Sequence, residues 1–148
     1  MASKIPNNTL GRMVSAYINA KDIRARLVMT NTTCDTEVDA IVNLSDYTTI
    51  DPGDATGAAD IALTGETVTI NDTDNRGDLD TSADIVFPSL SGDATRDYQG
   101  CLLYEYVDGT DANDIPFEYV DFSTVVVKEA TQVTVPSSTT DLLRASQG

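Results

Sequence analysis

The chain has 148 residues, with 9 Lys plus Arg against 24 Asp plus Glu, a formal net charge of −15, and neither His nor Trp. Without His there is no Ser-His-Asp or Cys-His catalysis and no His-ligated zinc, and so large an acid excess repels nucleic acid and anionic membrane surfaces. The composition, 41% apolar and 22% charged, is that of one folded domain able to bury about 68–70% of its unfolded surface.

From Asn8, the apolar residues Leu10, Met13, Val14, Tyr17 and Ile18 recur at i, i+3, i+4, i+7 and i+8, which predicts an amphipathic helix capped by Asn8 or Thr9. The segment Asp22–Met29 alternates, with Ile23, Ala25, Leu27 and Met29 on one face and Arg24 and Arg26 on the other, the pattern of a half-buried strand. Asp35 or Thr36 then starts a predicted second short helix through about Asp46, with Val38, Ile41 and Val42 buried and Asp39 completing the cap. The run Asp51–Gly57, rich in Asp, Gly and Pro, predicts a loop. Strands are expected at 66–71, 83–87, 101–107, 117–122, 124–127 and 132–135, separated by Asp, Asn and Gly clusters. Pro88, Pro116 and Pro136 fall at strand ends or edges in this reading, and Asp108–Asp114 joins two strands as a hairpin loop.

The predicted fold is therefore mainly β, an antiparallel β-sandwich with one or two short helices near the N-terminus. Residues 1–136 form one β-rich domain with an N-terminal helix and basic docking region, and 137–148 form an extended arm. Neither an apolar leader nor a spanning stretch is apparent, so synthesis and retention in the cytosol are expected. Cys34 and Cys101, both beside apolar runs, are expected to be buried free thiols.

Charge is unevenly placed. Residues 1–34 carry Lys4, Arg12, Lys21, Arg24 and Arg26 against Asp22, while residues 35–121 carry 21 acids against Arg76 and Arg96. A basic end ahead of an acidic body steers docking toward an acidic surface; the alternative is that these cations neutralise the protein's own acids. Asp72, Asp74, Asp78 and Asp80 cluster around Gly77, a weak calcium candidate. Arg76 and Ala83 occupy positions where an EF-hand-type loop needs oxygen ligands, so a solvated turn is the preferred reading and no metal is assigned.

Segments in series carry a resemblance: 23–33, Ala62–Val68, Asp72–Arg76, Ala83–Phe87, Gly100–Val107 and Ile115–Phe122. Over about residues 10–136 the chain resembles a family of small tailed-phage virion proteins placed as capsid decoration, or cement, proteins. It departs from the family's pattern at Gly77 and Leu79 and in its tail, where Val133–Ser138 replaces an apolar close. The resemblance implies a structural protein on the outside of the phage head, made in the host cytoplasm, with the major capsid protein and sister subunits as partners and a homo-oligomeric state. It implies no catalytic residues and no cofactor. A neck, tail or fibre-base position is the alternative within the virion, and a calcium-dependent adhesion module is the alternative outside it.

Overall fold

Burial follows the alternation at the first strand. Ile23, Ala25, Leu27 and Met29 are buried, with Arg24 and Arg26 half-buried on the other face, because a strand turns successive side chains to opposite sides. This strand, β1 (Ile23–Met29), runs beside the short β2 (Ile61–Ala62) and the central β6 (Tyr98–Glu105), with β7 (Ile115–Val126) at the far edge. All three pairings are antiparallel. The computed structural model describes residues 7–37, 39–71, 76–81, 83–137 and 143–146, with backbone alone at 7–11, 14, 68–71, 76–80 and 143–146.

Two smaller antiparallel sheets complete the strands: β3 (Glu66–Asn71), β4 (Arg76–Thr81) and β9 (Leu143–Ser146) in one, β5 (Ile85–Phe87) and β8 (Val133–Val135) in the other. The main core lies between the four-stranded sheet and the β5–β8 ribbon, where Leu27, Cys101 and Leu103 meet Ile85, Phe87, Val133 and Val135. Burying each large apolar side chain there contributes about 1.5–3 kcal/mol. Across the sheet a second cluster of Val28, Leu102, Tyr104, Leu44 and Cys34 fills the space under the 32–50 segment. Central β6 is therefore apolar on both faces, and seven of its eight residues are buried. The mainly β, antiparallel class expected from the sequence is the class observed.

Several local expectations are corrected. Among the described residues of 35–46 the second helix is absent; a single 3-10 turn, Leu44–Asp46, stands at its end, Val42 is exposed, and Ala40 has φ 65°. Side chains capture the backbone that a helix would need. Glu37 accepts from the Thr48 amide at 2.7 Å and from the Thr33 hydroxyl at 2.8 Å, and Asp46 accepts from the Val42 and Asn43 amides at 2.8 and 2.9 Å, the competition that makes such residues turn formers. Val38, expected on the buried face of that helix, lies outside the described residues.

The first helix, α1, spans Asn7–Ile18, so Asn8 and Thr9 lie inside it instead of capping it. Its apolar stripe is only partly used, since Ile18 is buried while Met13 and Tyr17 are exposed. The two strands expected at 117–122 and 124–127 are one, β7, which departs from regular pairing where Asp121 faces Gly100 and Val126 faces Tyr98, a bulge of several residues. The C-terminal segment is not only an arm, because Leu143–Ser146 pairs with Leu79–Arg76. Pro88 and Pro136 directly follow strands, and Pro116 sits in the edge strand, as proline's missing donor requires. At Gly57, φ is +95° and a Cβ would meet the Ser89 carbonyl oxygen at 2.5 Å, so only glycine fits that turn.

Candidate functional site

The polar face of β1 is where the charged residues singled out by the sequence converge with partners from distant segments. Arg26 donates from Nη2 to Asp60 at 2.9 Å and from Nη1 to Asp111 at 3.0 Å, and its guanidinium carbon lies 4.9 Å from the centroid of the Tyr104 ring. Tyr104 in turn donates its hydroxyl to Asp60 Oδ2 at 2.6 Å. With only 13% of its side chain exposed, Arg26 is the centre of a part-buried network. Burial works against its charge, but the hydrogen bonds to Asp60 and Asp111 outweigh burial and hold its pKa above the ordinary arginine value. Burial, then the bond to Asp60, push the Tyr104 phenol up.

Arg24, two residues earlier, stacks on Tyr106 with 3.4 Å to the ring centroid and pairs with Asp22 at 2.8 Å in a more exposed setting. Cation–π stacking of this kind holds the guanidinium flat against the sheet. Lys21 donates to Glu105 Oε1 at 2.6 Å, and Tyr17 from α1 donates its hydroxyl to Glu105 Oε2 at 2.5 Å. Glu105 is nearly buried, at 5% exposure. Burial would raise its pKa, but the bonds from Lys21 and Tyr17 prevail and lower it, while burial and the contact with Glu105 raise the Tyr17 phenol to about 12. The edge-on contact of Tyr17 with Phe117, at 5.5 Å between ring centroids, completes the clasp between helix and sheet.

Of the five basic docking candidates, Lys21, Arg24 and Arg26 are thus engaged by the protein's own acids, Arg12 is exposed on α1, and Lys4 lies outside the described residues. Asp72 and Asp74 also lie outside them. Asp78 and Asp80 belong to β4, paired with Thr69 and Thr67, and not to the turn in which the sequence set them. Among the described residues, no group of three or more Cys, Asp or Glu gathers in a way that could hold a metal ion.

Other acids organise turns. Asp114, fully buried, accepts from the Val107 amide at 2.8 Å; Asp108 accepts from the Thr110 amide and the Asn113 side chain at 2.9 and 2.7 Å. Asp54 accepts from the Thr95 amide at 3.0 Å and its hydroxyl at 2.6 Å, and Asp51 pairs with Arg96. The hydrogen bonds from Thr95 and from Asn113 hold the Asp54 and Asp108 carboxyls below the ordinary carboxylate range. Cys34 and Cys101 are buried free thiols, as expected, in the clusters on opposite faces of the four-stranded sheet, and burial pushes both thiols up.

Sequence reasoning missed Asp60, Tyr104, Tyr106 and Glu105 as partners of the basic residues. The alternation Leu102, Tyr104, Tyr106 carries a signal for one tyrosine-bearing face; the acids carry none, since a solvated turn acid and a paired one look alike in sequence. No family model matches this chain, and no curated protein or solved structure is significantly similar to it.

Proposed function

We propose that this protein is a structural component of a tailed-phage virion, a decoration protein that binds the outside of the head, contacts the major capsid protein and sister subunits, and stabilises the assembled shell. The same reading takes the β5–β8 ribbon over the four-stranded sheet as the two layers of a β-sandwich. The observation that supports it best is the polarity of the surface. Arg12, Met13 and Tyr17 stand exposed on α1 at the basic end, while Asp54, Asp93, Asp108 and Asp111 are exposed on turns of the acidic body. Apolar and cationic groups suit burial in an interface, whereas exposed carboxylates lose their remaining hydration when buried, an unfavourable change for each. Interface area added across neighbouring shell subunits stabilises the shell by mass action.

The resemblance over residues 10–136 supplies the class. The test is composition and occupancy of particles: purified virions contain this chain in many copies on a denaturing gel, and deletion of residues 1–20 lowers its occupancy on capsids. Absence from virions overturns the reading. Full occupancy by the truncated chain overturns the assignment of the N-terminal region to the shell.

A further inference from the structure

The tetrapeptide Gly-Asp-Ala-Thr occurs twice, at 53–56 and at 92–95, and the two copies grip each other. Asp54 accepts from the Thr95 amide at 3.0 Å and the Thr95 hydroxyl at 2.6 Å, while Asp93 accepts from the Thr56 amide at 3.0 Å and the Thr56 hydroxyl at 3.3 Å. Ser91 adds its hydroxyl to Asp93, and its amide donates to the Thr56 carbonyl at 3.0 Å. Ala55 and Ala94, the third residue of each copy, are both buried in the main core. At Gly92 φ is +73° and a Cβ would come within 3.0 Å of the Glu129 carbonyl oxygen, so this turn needs glycine. Tyr98 lies fully buried under the junction, its ring beside Gly53, and its hydroxyl has no hydrogen-bond partner among the described residues. Burial, then the charges of Asp54 and Asp93, raise its phenol.

We propose that the two segments form one acid-operated latch over the Tyr98 hydroxyl, closed while Asp54 and Asp93 are ionised and opened as a unit when they take up protons. Each carboxylate serves an amide and a hydroxyl of the opposite threonine, one oxygen to each; a protonated carboxyl is a weaker acceptor for both. Because both grips join the same two segments, loss of one leaves the other to hold them alone, which couples the two. Opening lets water reach the Tyr98 hydroxyl, a hydrogen bond that the closed form leaves unmade. The bonds from Thr95 hold Asp54, and those from Ser91 and Thr56 hold Asp93, below the ordinary carboxylate range. The latch is therefore fully closed above the ordinary aspartate value and is lost as pH falls through the lowered ones, below about pH 4. The other charged groups at this end leave that sign in place: Arg96 lowers Asp54 and is paired with Asp51, Asp97 accepts from the Lys128 amide at 2.9 Å, and Lys128 pairs with Glu129.

Amide hydrogen exchange of the full-length protein, read residue by residue by NMR, tests the latch. At about pH 6.5 Glu105 stays ionised and its clasp on α1 stays shut. There Asp54→Asn lowers the protection of the Thr95 amide, which Asp54 bonds, and of the Thr56 amide, which it does not, each by about tenfold. Asp93→Asn does the same from the other side, while the Leu102 amide in β6 keeps its protection and reports that the chain remains folded. On acidification of the parent protein the two threonine amides lose protection along one curve, ahead of Leu102. Tyr98→Phe, which keeps the ring and removes the hydroxyl, moves that curve to lower pH. An asparagine substitution felt only at the amide it bonds, separate acid curves for the two amides, or a curve that Tyr98→Phe leaves unmoved overturns the proposal. If the asparagine variants fail to fold, the acid curves of the parent and of Tyr98→Phe decide. None of these outcomes bears on the occupancy of particles, which tests the functional reading separately.

Discussion

Arg24 and Arg26 share a strand face and a sequence context, yet the energetics of the two are different. Arg26 anchors Asp60, Asp111 and the Tyr104 ring from a largely buried position. Removing one member of a buried charged network leaves its partners desolvated without compensation, at about 3–5 kcal/mol. Asp60 keeps some contact with water, at 23% exposure, so Arg26→Ala is expected at the low end, about 3 kcal/mol. Arg24 pairs with an exposed Asp22, and Arg24→Ala is expected to cost about 1 kcal/mol or less. Urea denaturation of the two variants checks the contrast; equal losses would contradict the network. Arg26→Lys is not a conservative change, because an ammonium cannot span two carboxylates from a flat position over a ring.

At the scale of elements, the clasp at Glu105 ties α1 to the sheet, and its dependence on pH has a definite sign. The folded-state pKa of Glu105 is lowered from 4.5, so the stabilisation is present in full above the unfolded-state value and is lost as pH falls through the folded-state value. Stability is expected to decline on acidification below about pH 5, with loss of helical signal from α1 as Lys21 and Tyr17 are released. Glu105→Gln removes that part of the acid sensitivity, and circular dichroism of both proteins between about pH 3 and pH 7 checks it. The elements that were legible in sequence were those whose pattern reports burial. Strand β1 announced itself because one face meets the core, and Pro88 and Pro136 marked ends because their missing N–H forbids continued pairing. The predicted second helix failed because Glu37 and Asp46 turn their carboxylates onto backbone amides, an event that residue spacing does not record. That the cations neutralise the protein's own acids was one of two readings open in the sequence, and it is the one observed for Lys21, Arg24 and Arg26; which acids do so was illegible for a related reason: Glu105 lies 84 residues from Lys21 and Asp111 lies 85 from Arg26, and only the folded sheet brings them together.

For the whole molecule, the distribution of acids decides how it responds to divalent cations. Many carboxylates are already occupied as acceptors, Asp54 by Thr95, Asp108 by Thr110 and Asn113, and Asp93 by Thr56. Arg76 and Ala83 remain poor members of any ligand ring drawn around Asp72, Asp74, Asp78 and Asp80. A chelator is therefore expected to shift the melting temperature by less than about 2 °C, the scale of an ordinary surface change in a chain of this size. Asp74→Ala is expected to do no more. A calcium-dependent rise of many degrees that Asp74→Ala abolishes would assign the cluster to a metal and favour the adhesion reading over the virion one.

The pairing of β1 with β6 also sets a timetable. Ile23 meets Glu105 and Met29 meets Tyr98, so the partner of the first strand is made roughly 70–80 residues later. At about 5–20 residues per second, β1 has only the two-residue β2 beside it for about 4–16 s during synthesis before its long neighbour β6 exists. In that interval Ile23, Leu27 and Met29 are open to contacts with other nascent chains. Both faces of the sheet are built on β6, and the main core closes only after β8 brings Val133 and Val135 to it, about 30 residues later still.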